Sequence, residues 1–446
     1  MIKDQRFNET FNLSWPIVAE MVVYTLITNI DMILMGKFGG NIGISSLALC
    51  NNIMNIMVSV LLSMGISIAT IALISNKLGK GKIIEAKKYS RNAIIITFVI
   101  SLILFMFIRI FSGKILYLSG AREEIYDTGK KILQINSILI IIQMLTMITN
   151  SVLVAYGESK KSFFSVGIIG ICKLFLNVIF IFSFNMQKLG FIIFSITSIV
   201  ANFVAFIYST LSLSNLEDYK RIKTHSLFNI SYMKKIIILS FPSSMEEIAF
   251  SLSRFIGSSI ILHCGTLGYA ANEIANNIEA FSVMPGIGIG IITTSLVAYH
   301  SGKTDYRKIK KQVVINALAA TGIMCTLALL FLLFPKFLVG IYIGREEKEL
   351  INLTSACLII GALEQPFIAI SSVFACALKG LRNTKTPFYI SAFTAWIIRL
   401  PLIYYTIYKL KFNVTAVWWI TALQWGIDAL LMYIFFIKEI EKNKKS

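Results

Sequence analysis

Twelve apolar stretches, each long enough to cross about 30 Å of hydrocarbon, constrain this chain more than any other feature. They run 11–36, 44–74, 92–112, 132–156, 163–184, 189–212, 234–261, 270–298, 312–334, 351–378, 386–409 and 414–437. In hydrocarbon every backbone N–H and C=O must be satisfied within the protein, so helices are the expected elements. A membrane barrel would alternate apolar and polar residues, whereas runs such as Ala93 to Ile110 continue past 17 residues without that alternation. Only 15% of the 446 residues are charged and 56% are apolar, which excludes intrinsic disorder and makes the bilayer the natural solvent.

The formal charge is +19, a value that in a soluble chain would suggest nucleic acid. Here the basic residues gather in short clusters between the apolar spans, with no basic face interleaved with stacking aromatics, so no nucleic-acid partner is expected and the clusters face anionic lipid. With a cytoplasmic N-terminus, the inside segments, counted with the span-edge Lys234 and Lys235, hold 27 of the 42 Lys and Arg residues, and the outside segments, counted with the span-edge Lys409, hold 11. That bias predicts a multi-pass protein of a bacterial or archaeal inner membrane with both termini cytoplasmic. The N-terminal MIKDQRF leads straight into a span without a cleavage site. Six dispersed cysteines read as buried free thiols, and Trp418, Trp419 and Trp425 read as interface anchors.

The two halves repeat each other. Leu13-Ser14-Trp15-Pro16 with Glu20 recurs 226 residues on as Leu239-Ser240-Phe241-Pro242 with Glu246. At an offset of 225, Asn51-Asn52-Ile53 meets Asn276-Asn277-Ile278, and Ser159-Lys160 meets Thr384-Lys385. Six spans per half make the repeat parallel, with a pseudo-twofold axis along the membrane normal. The expected organisation is an N-lobe of six helices (1–212), a cytoplasmic linker (213–233) and a C-lobe of six helices (234–446). Transporters commonly place their substrate between such repeats, which favours a carrier.

A charge at mid-bilayer costs about 2.5–3.5 kcal/mol on insertion scales, so charges near span centres must face one another, water or solute. Glu20, Lys173, Glu246, Glu247, Glu364 and Arg399 hold such positions. Asp31 lies eleven residues after Glu20, on the same helix face about 16 Å away. A carboxylate in a dry pocket can take up a proton or sodium ion and release it on rewetting, which makes Asp31 and Glu20 candidates for ion coupling, with sodium at Asp31 the one metal considered. Glu246 and Glu247 follow Pro242 closely, with Arg254 on the same side, and adjacent carboxylates cannot both ionise easily in low dielectric. Glu273 and Glu279 flank Asn276 and Asn277, amides that can serve as interhelical glue or as ligands. Pro16, Pro242, Pro285, Pro366 and Pro401 inside the spans each remove a backbone hydrogen bond, and kinks are expected there, at Pro16 and Pro242 beside the coupling and C-lobe carboxyls.

These residues resemble the multidrug and toxic compound extrusion (MATE) transporters over almost the whole chain. The resemblance is carried by Trp15-Pro16 with Asp31, Gly36-Lys37-Phe38-Gly39-Gly40, Met284-Pro285-Gly286, Leu378-Lys379-Gly380, Asn383-Thr384-Lys385-Thr386-Pro387 and Trp396 to Pro401. It implies a V of two six-helix lobes that exports lipophilic organic cations against protons or sodium ions, with no cofactor. Pro16 with Asp31 resembles the DinF-like branch, in which an acidic residue follows an asparagine of the fifth helix; here Asn177 is present and Ile181 stands at the acidic position. The NorM-like acidic positions are Phe250 and Ile368, with Glu246, Glu247 and Glu364 about a turn away, so the C-lobe set for substrate or cation is Glu246, Glu247, Glu273, Glu279, Glu364, Arg254 and Arg399. A lipid-linked oligosaccharide or peptidoglycan-precursor flippase of the same superfold is the alternative, and it would line its cleft with several arginines for pyrophosphate. No enzyme is expected, because His225, His263 and His300 are dispersed and no nucleophile and base stand together. A monomer is expected.

Overall fold

The computed structural model describes residues 10–38, 46, 49–51, 53–54, 65–119, 123–183, 186–220, 228–342 and 347–445. The side chains of Asp31 and Ile181, together with Gly39, Gly40, Asn52 and His225, lie outside the described residues. The described chain is helical, without a strand. Its main helices are α1 (Thr10–Phe38), α2 (Ile68–Gly79), α3 (Ile83–Leu118), α4 (Glu123–Ala155), α5 (Ser159–Ser183) and α6 (Met186–Ser214). They continue with α7 (Ile230–Ile261), α8 (Gly265–Gly302), α9 (Tyr306–Leu333), α10 (Lys348–Gly380), α11 (Lys385–Lys409) and α12 (Val414–Lys445). Among the described residues nine helices are long and apolar enough to cross a membrane, with α7 and α8 running as one stretch, Ile230–Gly302. Only a short 3₁₀ turn at Leu262–Cys264 and Gly265 divide that stretch, and Gly265 at φ 86° adopts the left-handed backbone that favours glycine. Large side chains such as Ile110, Ile171 and Phe255 are exposed, which in water would be costly and in acyl chains is not.

Two compact units divide the chain, formed mainly by Trp15–Phe241 and by Pro242–Ser446, with the main division falling inside α7 and the first residues of α1, up to Ser14, counted with the second unit. In the first unit α3 packs on α4, and α6 on both α4 and α5. Small polar side chains bind the helices together: Ser209 donates to Asn150 (2.7 Å) and Ser165 (2.8 Å), Ser75 to the Ala155 carbonyl (3.0 Å), and Thr197 to Asn177 (2.7 Å). The segment after α6 is pinned back onto the start of α3. Lys87 donates to the Tyr219 carbonyl and sits over its ring, the Asn229 N–H donates to Asn92 (3.1 Å), and Tyr232 stacks edge-on against Tyr89. Burial pushes the Tyr219 phenol above its ordinary value, opposed by Arg91.

In the second unit α10 is the hub, packed against α8, α9 and α12. Small residues permit the approach: a Cβ on Gly380 would stand 2.8 Å from the Thr294 carbonyl oxygen and 2.9 Å from Val297 Cβ. Trp418 corrects the expectation of an interface anchor. It is buried among Ala275, Ile278, Leu358 and Val414, and its ring lies where a Cβ on Gly361 would be, 2.8 Å away. The absence of a side chain at 361 leaves room that the indole fills, while Trp419 on the next position of the helix is exposed.

Pro401 produces a change of register on α11. The helix widens into π turns at Thr394–Arg399 and Tyr405–Lys409 on either side of Leu400–Tyr404. A proline has no N–H for the carbonyl four residues back, and wider turns redistribute the bonds that remain. The first π stretch is tied to α7, where Ser253 donates to the Ala395 carbonyl (3.3 Å) and Trp396 Nε1 to the Ala249 carbonyl (2.9 Å).

Replacing Gly380 by alanine is expected to destabilise the protein by about 1–3 kcal/mol, since the neighbour that must yield is backbone. Gly322→Ala, at a position with open space, is expected to be neutral or slightly stabilising. Unfolding temperatures in detergent check both, and equal values for the two variants contradict the close approach.

Candidate cation site of the C-terminal unit

The C-terminal unit gathers more buried charge than its apolar surroundings tolerate unpaired, and each group has found a partner of a particular kind. On α7, both oxygens of Glu246 face Lys379 Nζ at 3.0 and 3.1 Å, with the two side chains 15% and 5% exposed. Lys379 stands in the last turn of α10, where the helix dipole favours a cation. Glu247 is half-buried beside this pair, with Lys379 and Arg254 as the positive charges acting on it.

One helix interval away, α8 and α10 bring two more carboxyls together. Glu279 and Glu364 stand within hydrogen-bonding reach of each other. Gln365 Nε2 donates to Glu279 (2.9 Å) and to the Gly361 carbonyl (3.2 Å), and Ser282 Oγ donates to Gln365 Oε1 (2.7 Å), so the amide is fixed with its N–H toward the acid. Glu364 is 1% exposed, and its Oε2 has no hydrogen-bond partner among the described residues. Two carboxyls this close are held together when one of them carries a proton, so the pair can hold and exchange one. Arg399 acts on both acids through space and Arg254 on Glu279, while no ion pair closes between either arginine and the acids among the described residues. Arg399 Nε is itself buried and has no hydrogen-bond partner among the described residues, whereas Arg254 is exposed.

Of the residues singled out in the sequence, Glu246 and Glu247 stand together, as do Glu279 and Glu364. Glu273 stays apart from the second pair: its Oε1 accepts from the neighbouring Asn272 (3.2 Å) and its carbonyl from Asn277 (2.9 Å). Arg254 lies on α7 as the spacing predicts, yet Glu246 takes Lys379 instead, because Lys379 reaches it in a buried position. In the first unit, Glu20 is buried and accepts from Ser162 Oγ (2.8 Å), while Asn177 accepts from Thr197. Ser162 and Asn177 are fifteen residues apart on α5, about 22 Å at the helical rise, so Glu20 and Asn177 do not share a site. Pro16 and Pro242 lie inside α1 and α7. Asp31 is on α1, its side chain outside the described residues.

Two groups escaped the sequence reading. Lys379 falls just past the span expected at 351–378, but α10 runs on to Gly380, whose close approach to α8 buries the lysine. Asp428 lies deep within the last span and is 1% exposed, with Ser371 Oγ on one oxygen (2.6 Å) and Thr394 Oγ1 on the other (2.7 Å). The cost of a charge in an apolar span is the signal that would have found it.

The fold and these buried acids define a multi-pass membrane transporter rather than an enzyme. The MatE family model matches residues 16–183 and again 242–405, and the chain belongs to that family. An uncharacterised transporter of Bacillus subtilis, YisQ, is 23% identical over 426 residues, covering 95% of this chain and 92% of its own. A probable multidrug resistance protein of Thermotoga maritima, NorM, is 23% identical over 413 residues, covering 92% and 88%. Among solved structures, the Vibrio cholerae MATE transporter VcmN superposes with a TM-score of 0.90 at 17% identity, covering 99% of this chain and 98% of that one.

Removing one member of the Glu246–Lys379 pair leaves the other charge buried alone. Lys379→Met is expected to cost about 3–5 kcal/mol, and Glu246→Gln added to it to restore a large part. A double-mutant cycle on unfolding free energy checks this, and strictly additive effects contradict the pairing.

Proposed function

We propose that the protein is a secondary exporter that antiports lipophilic organic cations against protons or sodium ions, with the Glu279–Glu364 pair as the exchange site of the C-lobe. The observation that carries the reading is the close approach of these two carboxyls, Glu364 buried and Glu279 half-buried, beside a Glu364 oxygen that has no partner among the described residues. In the proton-loaded pair one negative charge remains, opposed by Arg399. An arriving organic cation adds positive charge, and release of the shared proton offsets it, so loading the site with one cation expels the other. This exchange keeps the charge of the buried site constant, which is the condition a low-dielectric interior imposes. The proton is the favoured ion in this reading, since a single shared proton satisfies two carboxyls in contact without further ligands.

The names of the relatives support the substrate class, several being described as probable multidrug resistance proteins. Against a flippase for pyrophosphate-linked lipids, the basic residues available are few and engaged: Lys379 is taken by Glu246, and Arg399 lies by the acid pair. The reading includes lobes at 1–212 and 234–446 joined by a linker at 213–233, twelve spans, an inner-membrane location with both ends cytoplasmic, and action as a monomer. Asp31, with Pro16 on the same helix, is the companion acid of the N-lobe.

In everted vesicles under an imposed proton gradient, the protein is expected to exchange protons for ethidium, and Glu279→Gln and Glu364→Gln are each expected to reduce that exchange to background at unchanged expression. Asp31→Asn is expected to do the same if the N-lobe acid shares the coupling. Transport driven equally well by sodium alone contradicts the proton assignment, and full transport by both glutamine variants contradicts the site.

A further inference from the structure

We propose that Asp428 on α12 is a separate, reversible proton-binding site, in which Thr394 on α11 turns its hydroxyl to accommodate the proton. The exchange reading makes no use of Asp428, and the proposal stands whether or not that reading does. The carboxyl is nearly fully buried, yet no basic side chain forms an ion pair with it among the described residues; its partners are two neutral hydroxyls, Ser371 Oγ at 2.6 Å and Thr394 Oγ1 at 2.7 Å. A structural carboxylate buried in an apolar bundle is expected to meet a cation, as Glu246 meets Lys379. Hydroxyls differ from cations in one respect that matters here: each can donate to a carboxylate or accept from a carboxylic acid. A site lined with them suits both protonation states.

Thr394 makes that adaptability concrete. Its Oγ1 lies within reach of two acceptors, Asp428 at 2.7 Å and the Ser391 carbonyl at 3.3 Å, but it has a single hydrogen. With Asp428 ionised, that hydrogen points to the carboxylate. When a proton from water binds the Asp428 oxygen, the new O–H donates to Thr394 Oγ1, and the threonine hydrogen swings to the Ser391 carbonyl. One O–H bond forms on Asp428 and one breaks in the hydronium ion that delivers the proton and departs as water, and every polar atom of the site keeps a partner. Gln424, one turn earlier on the same face of α12, is 1% exposed and its Oε1 lacks a hydrogen-bond donor among the described residues, which leaves an acceptor for a water one turn from the carboxyl.

The charged groups that face Asp428 are Glu246 on α7 and Lys379 on α10; α11 presents the neutral Thr394. A proton on Asp428 therefore alters the field at the Glu246–Lys379 pair. Thr394 also opens the π-helical stretch that ends at Arg399, so the same event bears on the register that places Arg399 near Glu279 and Glu364. The repeat supplies an internal contrast. Thr146 and Asn202 stand 225 and 226 residues before Ser371 and Asp428, and Thr146 Oγ1 donates to the Asn202 carbonyl (3.3 Å). In the first half the counterpart hydroxyl thus meets backbone, and the Asn202 side-chain amide, which cannot titrate, donates to the Ser198 carbonyl of its own helix (2.9 Å), so the carboxyl-to-hydroxyl arrangement belongs to the second half.

Difference infrared spectra of the purified full chain in lipid nanodiscs, recorded between neutral and acidic pH, test the assignment because they read protonation and not transport. The wild type is expected to gain carboxylic-acid carbonyl intensity on acidification, Asp428→Asn to lose one component of it, and Thr394→Val to shift that component upward through loss of a hydrogen bond. Asp428→Asn is expected to keep its unfolding temperature, since the amide oxygen accepts from Ser371 and the amide N–H donates to Thr394. Should that variant not fold, Thr394→Val decides alone. A spectrum of Asp428→Asn superimposable on the wild type, or no displaced component in Thr394→Val, overturns the proposal.

Discussion

The cost of holding charge in a medium that cannot solvate it organises this protein more than any packing preference. Each deeply placed acid has met that cost differently: Glu20 through a serine hydroxyl, Glu246 through a lysine, Asp428 through two hydroxyls, and Glu279 through Glu364 and Gln365. These arrangements are not equivalent. An ion pair such as Glu246–Lys379 holds a fixed charge state and ties α7 to α10, and it resists change because breaking it strands a charge. A carboxyl met by another carboxyl or by hydroxyls can change its state without leaving a polar atom alone, which is what a group that loads and unloads an ion requires.

Close helix approach is what lets these contacts form. At Gly380 the backbone of α10 comes against the Thr294 carbonyl on α8, and at Gly361 it admits the Trp418 ring from α12. The same helix carries Glu364, Gln365, Ser371 and Lys379, so one rigid element presents all four polar groups to its neighbours. The tie between Trp396 and α7 and the π stretch from Thr394 to Arg399 then set where the second wall of charges falls. Precise placement on helices rather than loops is the usual requirement of a site whose chemistry is the movement of one proton or ion.

Much of this was legible in the residues alone. Apolar run length gave the helical membrane class, the expense of mid-span charge pointed to Glu246 and Glu364, and Glu279 stood out only as a neighbour of Asn276 and Asn277. What the linear pattern could not supply was partner choice. Glu247 and Arg254 share a side of α7, but the lysine that pairs with the neighbouring Glu246 comes from 133 positions further on, brought in by a glycine contact that no periodicity encodes. Trp418 misled for a related reason: a tryptophan near the end of a span suits the interface, and only the missing side chain at Gly361 makes a hole for it. Asp428 was open to the same charge argument as the other acids, since it lies far inside the last span. The π turns around Pro401 follow from the absent proline N–H, though whether the helix kinks or widens depends on what α7 offers the neighbouring groups.

The central claim is that the Glu279–Glu364 pair holds a proton that an arriving organic cation displaces. Proton release on ligand binding measures this directly: purified protein in weakly buffered, sodium-free solution with a pH indicator is titrated with tetraphenylphosphonium. The account predicts that binding to the wild type acidifies the medium and that the Glu279→Gln, Glu364→Gln double variant releases no protons. Saturable binding to the wild type with no proton release, or equal release from the double variant, would contradict it.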